Sequence, residues 1–259
     1  MIQLLHGDCI ELMRDIPDKS IDMILCDLPY GTTACKWDNV IPFEPLWEQY
    51  NRVIKDNGAI VLFGAEPFTS KLICSNLKMF KYNWIWEKDK ATGHLNAKKQ
   101  PMRTVETVSV FYSKQCTYNP QLTDKPKENI RPATTKRTNI DNYGKMDKES
   151  VRGIPINKSY PKDIIFFRAC FGDKGKSFHP TQKPVALLEY LIRTYTNEGE
   201  TVLDNCMGSG STGVACINLK RNFIGMELKE EYFKIAEERI NNARLNQQTG
   251  GNRPAETDA

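Results

Sequence analysis

Histidine is scarce in this sequence, with three in 259 residues, and no two of the eight cysteines stand a C-x-x-C step apart. Without paired thiols or clustered imidazoles a zinc centre lacks its ligand set, and the same spacing gives no disulfide framework. The cysteines are therefore expected to be reduced, mostly buried, small hydrophobes. Long apolar runs are missing as well. Nothing approaches the ~18 residues of a membrane span, and Gly7 and Asp8 break the N-terminus before a signal peptide can form. A cytoplasmic protein without membrane contact is expected.

The hydrophobic fraction is 40% and the charged fraction 26%, ordinary for a globular protein. The length suits one α/β domain with an inserted subdomain. Charge is unevenly spread. Lys114 to Lys176 holds fourteen Lys and Arg against seven Asp and Glu, whereas the whole chain carries only +4. One basic segment on a nearly neutral body points to a polyanionic partner.

Periodicity gives the elements in outline. Asp8 to Ile16 predicts a short helix with Asp8 placed to cap it, and Ser20 to Cys26 a buried strand. A helix over Pro45 to Lys55, a strand over Ala59 to Phe63, a helix over Phe68 to Asn76 and a strand over Tyr82 to Trp86 follow, an alternation that implies a parallel sheet. Glu87 to Met102 is polar and aperiodic and predicts a loop over the site, and Thr104 to Tyr112 predicts a strand. Ser113 to Lys176 is irregular, with Tyr118, Tyr143 and Tyr160 set among lysines and arginines, the means of gripping phosphates and stacking on exposed bases. Ser159 to Arg168 within it reads as a strand rejoining the core. Pro184 opens a helix over Val185 to Tyr195. A strand over Thr201 to Leu203, a helix over Ser211 to Leu219, a strand over Phe223 to Met226 and a helix over Lys229 to Arg244 complete a second β-α-β-α unit, and a loose tail is expected from Leu245 on.

Two stretches carry chemistry. Asp27, Leu28, Pro29, Tyr30 and Gly31 follow the first buried strand, so an acid, a proline and a ring fall where open α/β sheets place their ligand crevice. A carboxylate beside a ring suits a flat, polar substrate; the same residues also suit a strand-ending turn. Gly208, Gly210 and Gly213 form G-x-G-x-x-G between a predicted strand and helix, and Glu227 follows Gly208 by 19 residues. That context is the nucleotide fingerprint, in which the acid accepts from ribose hydroxyls. Asp204, at the strand end ahead of the glycines, suits a cationic ligand such as S-adenosylmethionine better than a pyrophosphate.

Together these residues resemble the DNA amino-methyltransferases that act on adenine N6 or cytosine N4. Asp27-Leu28-Pro29-Tyr30 is similar to the family's D-P-P-Y catalytic motif, and Asp204 to Thr212 (DNCMGSGST) to its D-P-F-x-G-S-G-T-T cofactor motif. HPTQKP at 179–184 and FIGMEL at 223–228 resemble the flanking motifs, and the order, catalytic before cofactor, is the family's β arrangement. The resemblance spans nearly the whole chain. It departs at Leu28, where the family has proline, and at Asn205-Cys206, where it has Pro-Phe.

The resemblance implies a Rossmann-like α/β methyltransferase fold with circularly permuted motif order: residues 1–112 as the catalytic half, 113–176 as a basic target-recognition insert, 177–245 as the cofactor half and 246–259 as the tail. It implies S-adenosylmethionine as cofactor and double-stranded DNA as substrate, with a second copy of the chain and a cognate restriction endonuclease as partners the family allows. Asp27 and the Leu28 carbonyl would accept the amine hydrogens, Pro29 would stiffen the turn and Tyr30 would stack on the base. Glu227 would hold the ribose; Gly208, Ser209, Gly210, Ser211 and Thr212 the methionine portion; Asp8 the adenine amine; Lys183 the methionine carboxylate. Aspartate at position 27 favours adenine N6 over cytosine N4. A dinucleotide-dependent oxidoreductase, a methyltransferase of protein amide nitrogen and a DNA-binding relative without catalysis are the rival readings.

Overall fold

In the computed structural model, the structure describes residues 1–31, 39–126, 130, 155, 157–170 and 182–249. The chain forms two compact units, Met1–Asn119 with Asp163–Ala259, and Pro120–Lys162.

The larger unit is built on an eight-stranded sheet. Its elements are β1 (Ile2–His6), α1 (Cys9–Met13), β2 (Ile21–Cys26), α2 (Phe43–Val53), β3 (Ile54–Gly64), α3 (Phe68–Ser75), β4 (Phe80–Thr92) and β5 (Arg103–Phe111). After the smaller unit, which holds β6 (Thr123–Asp124) and β7 (Lys158–Ser159), come β8 (Ile164–Phe166), α4 (Val185–Tyr195), β9 (Thr201–Asp204), α5 (Ser211–Asn218), β10 (Asn222–Glu227) and α6 (Glu230–Gln248). The sheet runs β1-β10-β9-β2-β3-β5-β4-β8. Within the smaller unit β6 and β7 pair antiparallel, and Lys158 meets Asp124 at 2.8 Å.

β2 is buried at every position, as a central strand covered on both faces must be. Alternate residues of β2 and β3 serve opposite layers. Met23, Leu25, Val61 and Phe63 join one core with residues of α4, α5 and α6, whereas Ile24, Cys26, Ile60 and Leu62 join another with residues of α1, α2 and α3. The buried Asp22 carboxylate ties the amino ends of three central strands, accepting from Thr201 N at 2.9 Å and Lys55 Nζ at 2.6 Å.

The sheet is not wholly parallel as the alternation implied, because β5 runs antiparallel to both β3 and β4. A chain that turns straight back from β4 reaches its neighbour by a hairpin, without the helical crossover that parallel strands need. Several boundaries also differ, among them that of β3, which begins at Ile54 within the expected helix and not at Ala59. β4 continues to Thr92, through residues expected to be loop, and α6 continues to Gln248, into the expected tail. The expected strand over Ser159 to Arg168 divides into the end of β7 and β8. The unit Pro120–Lys162 is narrower than the expected insert, since 113–119 and 163–170 belong to the larger unit. Tyr143, 250–259 and the HPT of HPTQKP lie outside the described residues.

Candidate active site

β9 and β2 are parallel neighbours, yet β9 leads through α5 to β10 on one side and β2 through α2 to β3 on the other. This is the topological switch point, where a crevice opens at the carboxyl ends of the strands. Asp204 closes β9 and Asp27 follows β2, so the two motifs, distant in sequence, meet there.

Asp27 is held on both oxygens. The Tyr30 hydroxyl donates to Oδ1 at 2.6 Å and Lys183 Nζ to Oδ2 at 2.5 Å. The turn through Leu28 and Pro29 brings Tyr30 back over the acid, and its ring stacks on Phe68 with centroids 5.0 Å apart. The Leu28 side chain is buried in the core below, so the departure from proline is absorbed by packing. Lys183, 8% exposed, also lies 3.4 Å from Glu106 Oε2, and Glu106 Oε1 accepts from Lys88 Nζ at 2.6 Å. Asp27, Lys183, Glu106 and Lys88 thus alternate in charge. Burial raises the Asp27 carboxyl above its ordinary range, with Lys183 opposing and Glu106 adding to the rise. Against the upward push of burial, Lys183 and Lys88 hold Glu106 below the ordinary range.

On the other side of the switch point the glycine turn is organised from beneath. Asp204 is buried, accepting from Thr212 Oγ1 at 2.6 Å and Cys206 N at 3.1 Å, and burial pushes its carboxyl up to about 7. Gly208 and Gly210 adopt φ of 51° and 80°, the left-handed region that a side chain resists. Arg239 of α6 clamps the turn, donating to Ser209 Oγ at 2.8 Å and Ser211 Oγ at 3.3 Å. Ser209 Oγ donates to Gln182 at 3.3 Å, which links the turn to the segment bearing Lys183. Glu227, at the end of β10, accepts from Gly208 N at 3.0 Å and Lys229 N at 2.8 Å, one bond to each oxygen. Asp8 stands beyond the end of β1, whose last residue is paired with Glu227.

Residues 21–238 match the family of DNA methylases, N6_N4_Mtase. The chain belongs to that family. The methyltransferase is 28% identical over 251 residues to the type II methyltransferase M.HpaI of Haemophilus parainfluenzae, covering 92% of this chain and 74% of that one. It is 29% identical over 254 residues to the DNA adenine methyltransferase YhdJ of Escherichia coli, with 92% and 82% covered. The M1.HpyAVI–SAM complex superposes with a TM-score of 0.63 at 26% identity, over 93% of this chain and all of that one. The cytosine-N4-specific PvuII DNA methyltransferase shares the fold, with a TM-score of 0.66 at 16% identity over 96% and 93% of the two chains. S-adenosylmethionine is the cofactor of this DNA methyltransferase, on the family match and the S-adenosylmethionine-bound neighbour.

The residues gathered at the switch point fit that cofactor. Each Glu227 oxygen keeps a lone pair after its backbone bond, the arrangement that can accept ribose hydroxyls. Asp8 caps α1 through one oxygen, accepting from Ile10 N at 2.8 Å and Glu11 N at 3.3 Å. Two residues expected at the cofactor meet protein partners in this structure. Lys183, expected at the methionine carboxylate, has its ammonium on Asp27 and Glu106. Asp204, expected to face a cation, has both oxygens engaged by its own loop and holds that loop in place. Gly213 serves packing: a Cβ there would stand 2.5 Å from Ile240 Cδ1 and 2.8 Å from the Phe223 ring. The departure at Asn205-Cys206 is compensated, because buried Asn205 accepts from the Tyr50 hydroxyl at 2.6 Å and points its amide at Cys9 and Cys206 sulfurs.

Glu106, Lys88 and Arg239 were missed by sequence reasoning. Glu106 carried a signal, an acid within an otherwise apolar and β-branched run, since buried carboxylates need partners. Among the described residues no group of three or more His, Cys, Asp or Glu could hold a metal, and no helix is long and apolar enough to cross a membrane.

Proposed function

We propose that this methyltransferase methylates the N6 amine of adenine in double-stranded DNA, with Asp27 as the group that receives the amine. The observation that carries the reading is Asp27 at the switch point, fixed by Tyr30 and Lys183 and adjacent to the glycine turn. S-adenosylmethionine supplies a methyl group made electrophilic by its sulfonium.

The amine is a poor nucleophile because its lone pair is delocalised into the base. Each Asp27 oxygen retains a lone pair beyond the bond it already makes, so the carboxylate accepts one amine hydrogen while the Leu28 carbonyl accepts the other. As the nitrogen rehybridises it gains positive charge, a carboxylate pre-set by two donors stabilises that charge without reorganising, and the methylated nitrogen then releases its surplus proton to solvent. Lys183 opposes the rise that burial imposes on the Asp27 carboxyl. Pro29 stiffens the turn, and Tyr30, with one face on Phe68, presents the other to the base. Glu227 holds the ribose, Gly208 to Thr212 enclose the methionine portion, and Asp8 meets the adenine amine of the cofactor.

An amine paired inside a duplex reaches Asp27 only if its nucleotide swings out. Basic residues of 113–176 supply phosphate contacts and read neighbouring bases. Aspartate at position 27 favours adenine, and the family relationship to a DNA adenine methyltransferase supports it. A cytoplasmic setting and a cognate endonuclease belong to the same proposal, supported by relatives named as type II methyltransferases.

The test is transfer of labelled methyl from S-adenosylmethionine to unmodified duplex DNA, with digestion to nucleosides and mass spectrometry. N6-methyladenine that disappears in Asp27→Ala is expected. N4-methylcytosine would overturn the base assignment, and no transfer alongside measurable cofactor binding would overturn the DNA substrate.

A further inference from the structure

The hairpin of β4 and β5 outruns its sheet. β3 leaves β5 at the pair Gly64 and Thr107, and β8 leaves β4 at Glu87 and Phe166, yet β4 and β5 pair on to Glu87 and Val105 and, past an irregularity, again at Thr92 and Arg103. Beyond Glu87 and Thr107 the two strands therefore form an arm with no further strand beside it among the described residues, where Ala169 N reaches it, donating to Asp89 Oδ1 at 2.8 Å. β4 runs in the same direction as β3 and β2, so the arm leaves the sheet at its carboxyl edge, the edge that carries Asp27.

The arm's root is fixed and its tip is shaped. At the root, Lys88 and Glu106 lock the two strands together, and Glu106 continues to Lys183 and Asp27. At the tip, Gly93 turns the chain at φ 88°, His94–Asn96 make a 3-10 turn, and Asn96 O accepts from Lys99 N at 2.8 Å and Gln100 N at 3.0 Å. Leu95, at the centre of this turn, is 89% exposed, and Met102 and Val105 below it are 42% and 46% exposed. Between Lys90 and Arg103 the arm bears Lys90, Lys98, Lys99 and Arg103 and no acidic residue.

A leucine held out on an ordered turn, among cations only, fits one kind of surface: apolar within and anionic around. A duplex with one base swung out offers that surface, since the vacated stack exposes base faces between two phosphate chains, and apolar wedges fill such gaps in other DNA-bending proteins. The three residues from Glu106 to Arg103 span roughly 10 Å, so the paired part of the arm alone carries the chain about that far past the ion pair at its root.

We propose that Leu95 is a wedge that enters the duplex where the target nucleotide leaves it, with Lys98 and Lys99 on the flanking phosphates. This inference rests on the proposed function. Leu95 touches neither cofactor nor target amine; it holds the nucleotide out and acts through its position.

The test compares Leu95→Ala with the unsubstituted protein in single-turnover methyl transfer, using two versions of a short duplex built on the site that mapping of methylated DNA identifies. In one the target is paired, and in the other it faces a mismatch. Where the mismatch has already broken the pair, a wedge has less to do. The expected result is a loss of roughly tenfold or more on the paired duplex that shrinks to a few-fold on the mismatched one. With 2-aminopurine at the target position, the fluorescence rise on binding should likewise fall in the variant. Leu245→Ala, an exposed leucine on α6, should behave as the unsubstituted protein. Equal rates for Leu95→Ala on the paired duplex, or an equal loss on both duplexes, would overturn the wedge while leaving the function standing. Absence of transfer by the unsubstituted protein would overturn the proposed function, and the wedge with it.

Discussion

At the scale of single residues, the two aspartates of the switch point set opposite pH demands. In the proposed reaction Asp27 acts as the carboxylate, so the rate should fall as pH drops through its raised pKa. Glu106 is one of the groups that raise it. Glu106→Gln removes that negative charge while preserving shape, so the acid limb of the kcat profile should move to lower pH, with little change in affinity for S-adenosylmethionine. An unshifted limb would mean that Glu106 only packs. Asp204 concerns stability instead. Its folded carboxyl lies near 7 against an unfolded value near 4, so the folded state binds the extra proton between those limits, and stability from this group declines as pH rises through that window. The slope is at most about 1.4 kcal/mol per pH unit. Asp204→Asn should flatten the urea-denaturation stability measured between pH 5 and 7.5, whereas an undiminished slope would place the titrating group elsewhere. Asp27 and Asp204 were visible in the sequence because each stands at the end of a buried strand within a recognisable motif. What each one touches was not, since Lys183 and Glu106 reach the site from segments with no local sign of their partners.

Elements were legible where one face is buried and obscure where none is. α4 was placed at Val185–Tyr195 from Pro184 and the apolar stripe that follows it. The outer part of β4, Lys88 to Thr92, lies in a two-stranded arm largely open to solvent, so it needs no alternation and reads as loop. The end of α6 is similar: exposed polar residues through Gln248 continue the helix without an apolar signal. β1 went unread because it is short and only partly buried, and what makes it a strand is its register with β10. The glycine turn shows the reverse case, a motif legible in sequence whose third glycine works for packing between elements. Gly213→Ala would press a methyl against Ile240 and Phe223, an overpacking that should cost about 1–3 kcal/mol in denaturant-measured stability. Ile240→Val removes the nearest of those atoms and should recover part of the loss, and a double variant no more stable than Gly213→Ala would show that the strain lies elsewhere.

At the scale of the whole molecule, the order of motifs along the chain and their order in space differ, and the sheet reconciles them. The strand that leads to Asp27 comes early and the strand that leads to the glycine turn late, yet β2 and β9 are neighbours, because the first part of the chain builds the sheet outward on one side and the last part on the other. β1 then returns the beginning of the chain to the cofactor side, beside β10. This arrangement leaves the middle of the chain free of any duty in the central strands, and the unit Pro120–Lys162 occupies that place. If this unit carries target recognition, the larger unit should fold and bind cofactor without it. Both junctions are anchored in the larger unit, Asn119 N on Thr194 O at 2.7 Å and Asp163 O on Ile85 N at 2.7 Å. Replacing 120–162 with a short Gly/Ser linker should therefore preserve calorimetric binding of S-adenosylmethionine while site-specific methyl transfer falls below detection. Retained transfer at the same sites would move recognition to the edge of the larger unit, where the β4–β5 arm already stands beside Asp27.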